Sequence, residues 1–152
     1  MTSKERLIFH LKELDIHIVR IRDVLVDLNS IYPLDNHKLE QLTLNQKDKL
    51  DVLAFRFSKL QDLLGTKVFR EYLDTISYPI EDKNFLELLK ELQKENIIDI
   101  DKWAEFRSVR NAIAHDYPYN DIEKIDAINY LISNVEYLIS VKEKIETYTK
   151  RD

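Results

Sequence analysis

The sequence predicts an all-α protein, an up-and-down bundle of about five helices forming a single domain over residues 1–152. Three observations predict it. Apolar residues recur at alternating spacings of four and three through most of the chain, which gives each helix one buried stripe. One glycine (Gly65) and three prolines in 152 residues are too few for the turns of a sheet protein. The one segment with strand character, Ile97-Ile98-Asp99-Ile100, has no second strand to pair with.

Leu7, Leu11, Leu14, Ile18, Ile21, Leu25 and Leu28 place the first stripe on a helix of about 26 residues, with Ser3 as its candidate cap. Asn29 to Asn36 carries Pro33 and polar turn formers and interrupts it, and helix resumes between His37 and Asp48. Leu50, Leu53, Phe57, Leu60 and Leu64 continue the pattern on a second long helix, bent or broken at Gly65 and extending through Val68, Phe69, Tyr72 and Leu73. Ser77-Tyr78-Pro79 ends it. A short helix capped by Asp82 carries Phe85, Leu88, Leu89 and Leu92 and closes at Asn96. Asp99 or Asp101 caps the next helix, which presents Trp103, Phe106, Val109 and Ile113 and stops before Pro118. The last opens with Asn120 and Glu123 in a capping-box arrangement, and its stripe is Ile125, Ile128, Ile132, Val135 and Ile139.

Composition excludes several kinds of chemistry. Phosphate-cradling loops and dinucleotide fingerprints need several glycines for positive φ and close ligand approach, so P-loop and Rossmann sites are out. The absence of cysteine removes disulfides, thiolate zinc sites and cysteine nucleophiles. Neither a membrane span nor a signal peptide is expected, which makes the cytoplasm the default location. The net charge of −5 is the wrong sign for wrapping nucleic acid by counterion release alone. The excess acid falls in residues 66–100 and 121–152, while residues 1–65 and 101–120 are each neutral, so an anion should be handled near the neutral segments.

The stretch Arg107 to Tyr119 concentrates polar groups at the end of an apolar helix. Arg110 has a planar cationic fork suited to phosphate, Asn111 both donates and accepts, and His115 has an ordinary pKa compatible with proton transfer near neutrality. These are parts for metal-free phosphodiester cleavage. On an ideal helix Arg110 and His115 lie about 140° apart, so they converge only if the helix ends near Ala114. A helix C-terminus there would favour protonated His115 through its negative pole. The same residue types also suit an ordinary helix end, with Arg110 and His115 capping carbonyls or pairing with acids.

Arg110-Asn111-Ala112-Ile113-Ala114-His115-Asp116-Tyr117 resembles the R-N-x-x-x-H-x-Y signature of HEPN-domain proteins, specifically the toxins paired with a minimal nucleotidyltransferase antitoxin. The likeness extends to architecture, with long amphipathic helices before the motif and one after it. Leu53-Ala-Phe-Arg-Phe-Ser-Lys-Leu60 with Leu63-Leu64-Gly65 is similar to that family's second helix. The resemblance implies a metal-independent, cofactor-free endoribonuclease of a type VII-like toxin–antitoxin system, cutting transfer or messenger RNA. It implies a homodimer in which two motifs meet, and silencing by AMPylation of Tyr117 by the cognate nucleotidyltransferase. No membrane or DNA partner is expected.

In such a cut the 2′-hydroxyl attacks the adjacent phosphate. His115 would be base or acid, Arg110 would stabilise the developing charge, and Asn111 would orient histidine or phosphate. Arg107, one helical turn before Arg110, and Arg56 and Lys59 on the second helix are candidates for a local positive groove. Two other classes stay open. Non-toxic HEPN proteins act as substrate-binding or regulatory partners of a nucleotidyltransferase, and a purely structural helical protein would need only the apolar stripes.

Other constellations carry less. His10, Glu13 and His17 share a helix face compatible with metal but lack a fourth ligand, and His37 sits in a polar loop. Ser108 lacks the strand-turn-helix context of a serine nucleophile. Trp103 and Phe106 read as core, and Tyr130 and Tyr137 as core or interface.

Overall fold

The structure, a computed structural model, describes residues 1–114 and 121–150. Their regular structure is helical: α1 (Ser3–Leu28), a 3₁₀ turn (Asn29–Ile31), α2 (Asn36–Glu40), α3 (Leu44–Leu63), a π turn (Leu64–Val68), α4 (Phe69–Thr75), α5 (Phe85–Lys94), α6 (Ile100–Ala114) and α7 (Asp121–Lys150). The rod α3–π–α4 is continuous. With α1, α5, α6 and α7 it makes the five-helix bundle that the periodicity predicts, and α2 adds a single turn.

Cross-helix pairs show the up-and-down order. Along α1, Ser3, His10, His17 and Asp27 bond in turn to Asp74, Glu71, Arg56 and Lys49 of the second rod, so the two run antiparallel. Asp15 and Arg22 of α1 reach Lys142 and Glu136 of α7, again antiparallel. Asp99, Lys102 and Glu105 meet Tyr137, Asn134 and Tyr130 of α7 in the same sense. α1 therefore packs on α3, α4 and α7, and α6 on α3, α5 and α7, which places α1 and α6 at opposite corners.

The expected stripe of α1 is buried at every position from Leu7 to Leu28. Leu53, Phe57, Leu60, Leu64, Phe69 and Leu73 answer it from the second rod, and Val135, Leu138, Ile139 and Ile145 from α7. Trp103 and Phe106 are core residues. Phe69 and Phe85 flank the Trp103 ring at 5.0 and 6.0 Å, and Phe106 stacks on Tyr137 at 6.2 Å. Tyr130 and Tyr137 are half-buried, each with its hydroxyl bonded within the chain.

Helix ends differ in detail from the sequence expectation. Thr2 rather than Ser3 caps α1, accepting from the Glu5 N–H at 3.1 Å, while the Ser3 hydroxyl donates to Asp74. Thr43 and Gln46 form a reciprocal capping box that starts α3. Asn84, not Asp82, caps α5, and Asp99 caps α6. Asn96 closes α5 in the left-handed region at φ 58°. There the Ile97 N–H donates to the Leu92 carbonyl and the Asn96 N–H to that of Gln93, a Schellman closure. Ser77, at φ 65°, closes α4 with the equivalent bonds to Leu73 and Asp74.

The second rod does not break at Gly65, since α3, the π turn and α4 follow one another without a gap. Gly65 lies in the π turn, where the Phe69 N–H donates to the Leu64 carbonyl five residues back. A Cβ on Gly65 would stand 3.1 Å from Trp103 Cζ2, so the glycine admits the indole against the helix backbone. The loop before α2 is tied to α7 by Asn129, which accepts from the Leu34 N–H at 2.7 Å and donates to the Leu34 carbonyl at 2.9 Å. No helix among the described residues is long and apolar enough to cross a membrane.

Candidate functional site

Burial of Trp103, Phe106 and Val109 turns the opposite flank of α6 outward and aims Arg107, Arg110 and Asn111 away from the core. Arg110 points across to α3. Its Nη2 donates to Asp62 Oδ2 at 3.2 Å and its Nε to Oδ1 at 3.4 Å, a two-pronged contact of a half-buried guanidinium with an exposed carboxylate. Asp62 engages the Nε edge of the fork. The Nη1 edge retains donor capacity for a second anion.

Arg110 separates two shallow depressions. The larger, about 530 Å³, is lined by Gln61, Asp62, Gly65, Arg107, Arg110 and Asn111, with Trp103 at its floor. The smaller, about 310 Å³, is lined by Phe55, Ser58, Lys59, Asp62, Arg110 and Ala114. The buried Gln61 amide ties the two helices beneath them. In the orientation that matches donor to acceptor, it donates to the Phe106 carbonyl and accepts from the Arg107 N–H, both at 3.3 Å.

Three of the four cations singled out in the sequence, Lys59, Arg107 and Arg110, thus line the two depressions between α3 and α6, while Arg56 turns toward α1. Lys59 Nζ and the Arg56 guanidinium each lie 5.4 Å from the centre of the Phe55 ring, which is 54% exposed. Arg56 also reaches His17 Nδ1 at 3.2 Å. Burial first, and then the Arg56 charge, hold His17 below the ordinary histidine pKa. His10 bonds instead to Glu71 at 2.8 Å, so the histidines expected to share a face serve two different cross-helix contacts.

Against Asp62 the two depressions carry Lys59, Arg107 and Arg110, a local positive excess in a chain of net charge −5. The opposite flank of α6 is different. A cavity of about 990 Å³ between α6 and α7 is rimmed by Glu105, Glu123 and Asp126, with Ser108, Asn111 and Tyr130. Its carboxylates disfavour an anion. Burial pushes the Tyr130 phenol well above its usual pKa, and its 2.6 Å bond to Glu105 adds to the shift. As the described residues line the two flanks, the α3 side is the one that suits a phosphate.

His115 and Tyr117 lie outside the described residues. Asp62 and Phe55 did not stand out in the sequence. Asp62 is the only acid between Val52 and Arg70, a stretch with four cations, and that isolation was its one signal. Among the described residues no group of histidine and carboxylate side chains could hold a metal ion. No protein-family model, curated protein or solved structure matches the chain.

Proposed function

We propose that the chain is a metal-independent endoribonuclease toxin of the HEPN kind, acting on transfer or messenger RNA in the cytoplasm. The observation that carries this reading is the position of Arg110 between two depressions, with Arg107 beside one and Lys59 beside the other. A phosphate seated at Arg110 has a cation on either side for the neighbouring phosphates of a strand. Phe55 offers an exposed ring for an adjacent base.

In this reading Arg110 stabilises the phosphorane formed when the 2′-hydroxyl attacks, His115 transfers the proton, and Asn111 orients one or the other. A second copy brings a second motif, so the two histidines share acid and base duty. A cognate minimal nucleotidyltransferase silences the toxin by AMPylating Tyr117, since a bulky anion two residues from His115 repels RNA by charge and volume. The Asp62 contact gives weight to a second reading, the non-catalytic nucleotidyltransferase partner. There Arg110 pins α6 to α3 and binds rather than cuts.

The test is induction of the chain alone in growing cells, with His115→Ala and Arg110→Ala variants shown to be folded by circular dichroism, and incubation of each purified protein with synthetic RNA in chelator. Growth arrest and cleavage by wild type, lost in both folded variants, is the expected result. A folded wild type that neither arrests growth nor cuts RNA transfers the assignment to the partner reading.

A further inference from the structure

α1 carries a second stripe that the bundle does not cover. Phe9, Lys12, Ile16, Val19, Asp23 and Val26 follow one another at spacings of three, four, three, four and three, the alternation of coiled-coil a and d positions. They lie on the far side of the helix from the buried Leu7–Leu28 stripe. Phe9 is 59% exposed, Ile16 60%, Val19 57% and Val26 75%. Among the described residues the neighbours of α1 flank its buried side: α3 and α4 through His10 and His17, and α7 through Asp15 and Arg22. Scattered apolar residues on a surface need no explanation, but a seam about 26 Å long in coiled-coil register does.

The two charges in the seam identify its occupant. Lys12 and Asp23 make no hydrogen bond or ion pair with the other described residues, and they sit at equal distances from the midpoint between Ile16 and Val19. A second α1 laid antiparallel about that midpoint sets Phe9 against Val26, Ile16 against Val19 and Lys12 against Asp23, each twice. Every layer then pairs an a position with a d position, as antiparallel coiled coils require. Glu13 and Arg20, both exposed, come beside each other along the flank. Parallel pairing would set Lys12 against Lys12 and Asp23 against Asp23. The charge pattern therefore selects both partner and direction.

We infer that the outer face of α1 is a homotypic interface, which a second copy of this chain covers by antiparallel pairing about the Ile16–Val19 midpoint. It is distinct from the α6 end, at which the ribonuclease reading has two motifs meet, because α1 and α6 occupy opposite corners of the bundle. Pairing through α1 leaves Arg110 open. A chain using both faces would assemble beyond a dimer.

The experiment is light-scattering mass after size exclusion for wild type, Lys12→Asp, Asp23→Lys, the double variant, and a mixture of the two single variants, with circular dichroism confirming fold. In Lys12→Asp two carboxylates face each other, and in Asp23→Lys two ammonium groups do, so each single variant is expected at half the wild-type mass. The double variant and the mixture restore opposite charges in every layer and should return to the wild-type mass. A wild type no heavier than the folded single variants overturns the interface, as does a mixture that stays at the lower mass. No RNA is present, so loss of cleavage in Arg110→Ala leaves this result unaffected.

Discussion

The Arg110 guanidinium grips the Asp62 carboxylate through two donors, at 3.2 and 3.4 Å, across the groove between α6 and α3. An ion pair this exposed contributes little to folding, about 0–1 kcal/mol, because water screens both charges. Its larger effect is to fix where the cation points. Asp62→Asn should therefore change unfolding free energy by less than about 1 kcal/mol in urea titration. RNA cleavage should fall about tenfold, some 1.4 kcal/mol of barrier. Arg110→Ala should cost about 10²–10³, the range for losing a group that stabilises developing negative charge. If Asp62→Asn unfolds the protein easily while the remaining folded fraction cuts normally, the pair is a structural pin only.

Asn129 anchors the loop before α2 to α7. Its amide satisfies both backbone groups of Leu34, at 2.7 and 2.9 Å, in a partly buried setting. Asn129→Leu leaves a donor and an acceptor unmatched and should destabilise by about 1–3 kcal/mol. Urea unfolding followed by Trp103 fluorescence measures it. A variant as stable as wild type would mean that water replaces both bonds.

Gly65→Ala opposes two effects of similar size. Alanine favours helix over glycine by about 1 kcal/mol. Its methyl carbon would sit 3.1 Å from Trp103 Cζ2, and Phe69 and Phe85 leave the indole little room to retreat. Overpacking of this kind costs about 1–3 kcal/mol, so the melting temperature should fall. A rise would show that the ring can shift.

His17 gives the stability a pH dependence of predictable sign. Its folded pKa lies below the unfolded value of 6.5, so the unfolded chain takes up protons first as pH falls. The groups facing it are Glu13, which opposes the shift, and Arg56 and Lys59, which reinforce it. Stability should decline as pH drops from about 6.5 towards the folded pKa. His17→Gln should flatten that decline over the same interval in denaturant titrations. An unchanged slope would assign it to carboxylates.

The stripes were legible because periodicity is a local property: Leu7 to Leu28 and Ile125 to Ile139 needed nothing but spacing. The caps of α1, α5 and α6 were legible to within two residues, while Asn120, the expected cap of the last helix, lies outside the described residues. Thr2 displaced Ser3 because the Ser3 hydroxyl has a distant partner, Asp74, that no local rule foresees. Asn84 displaced Asp82 because Asp82 takes a left-handed turn at φ 64° instead. At the candidate site the cations were visible as residue types, but their convergence was not. Asp62 and Arg110 stand 48 positions apart, and only the antiparallel packing of α3 on α6 joins them. The outer seam of α1 was hidden by the inner one, since both share the same 26 residues and the inner stripe alone explained a helix.

The π turn at Leu64–Val68 is a phase correction. Phe69 follows Leu64 by five residues, one more than an α-helix tolerates on a single face, and the wider turn absorbs the surplus. That is why Phe57, Leu60, Phe69 and Leu73 all look into the same core. Deleting Gly65 would remove no loop and break no helix. It would let the π turn close to an ordinary α turn, with Phe69 four residues after Leu64, so that Tyr72 and Leu73 keep their face and Glu71 stays opposite His10. The turn thus stores one surplus residue while the two halves of the rod stay in step around it.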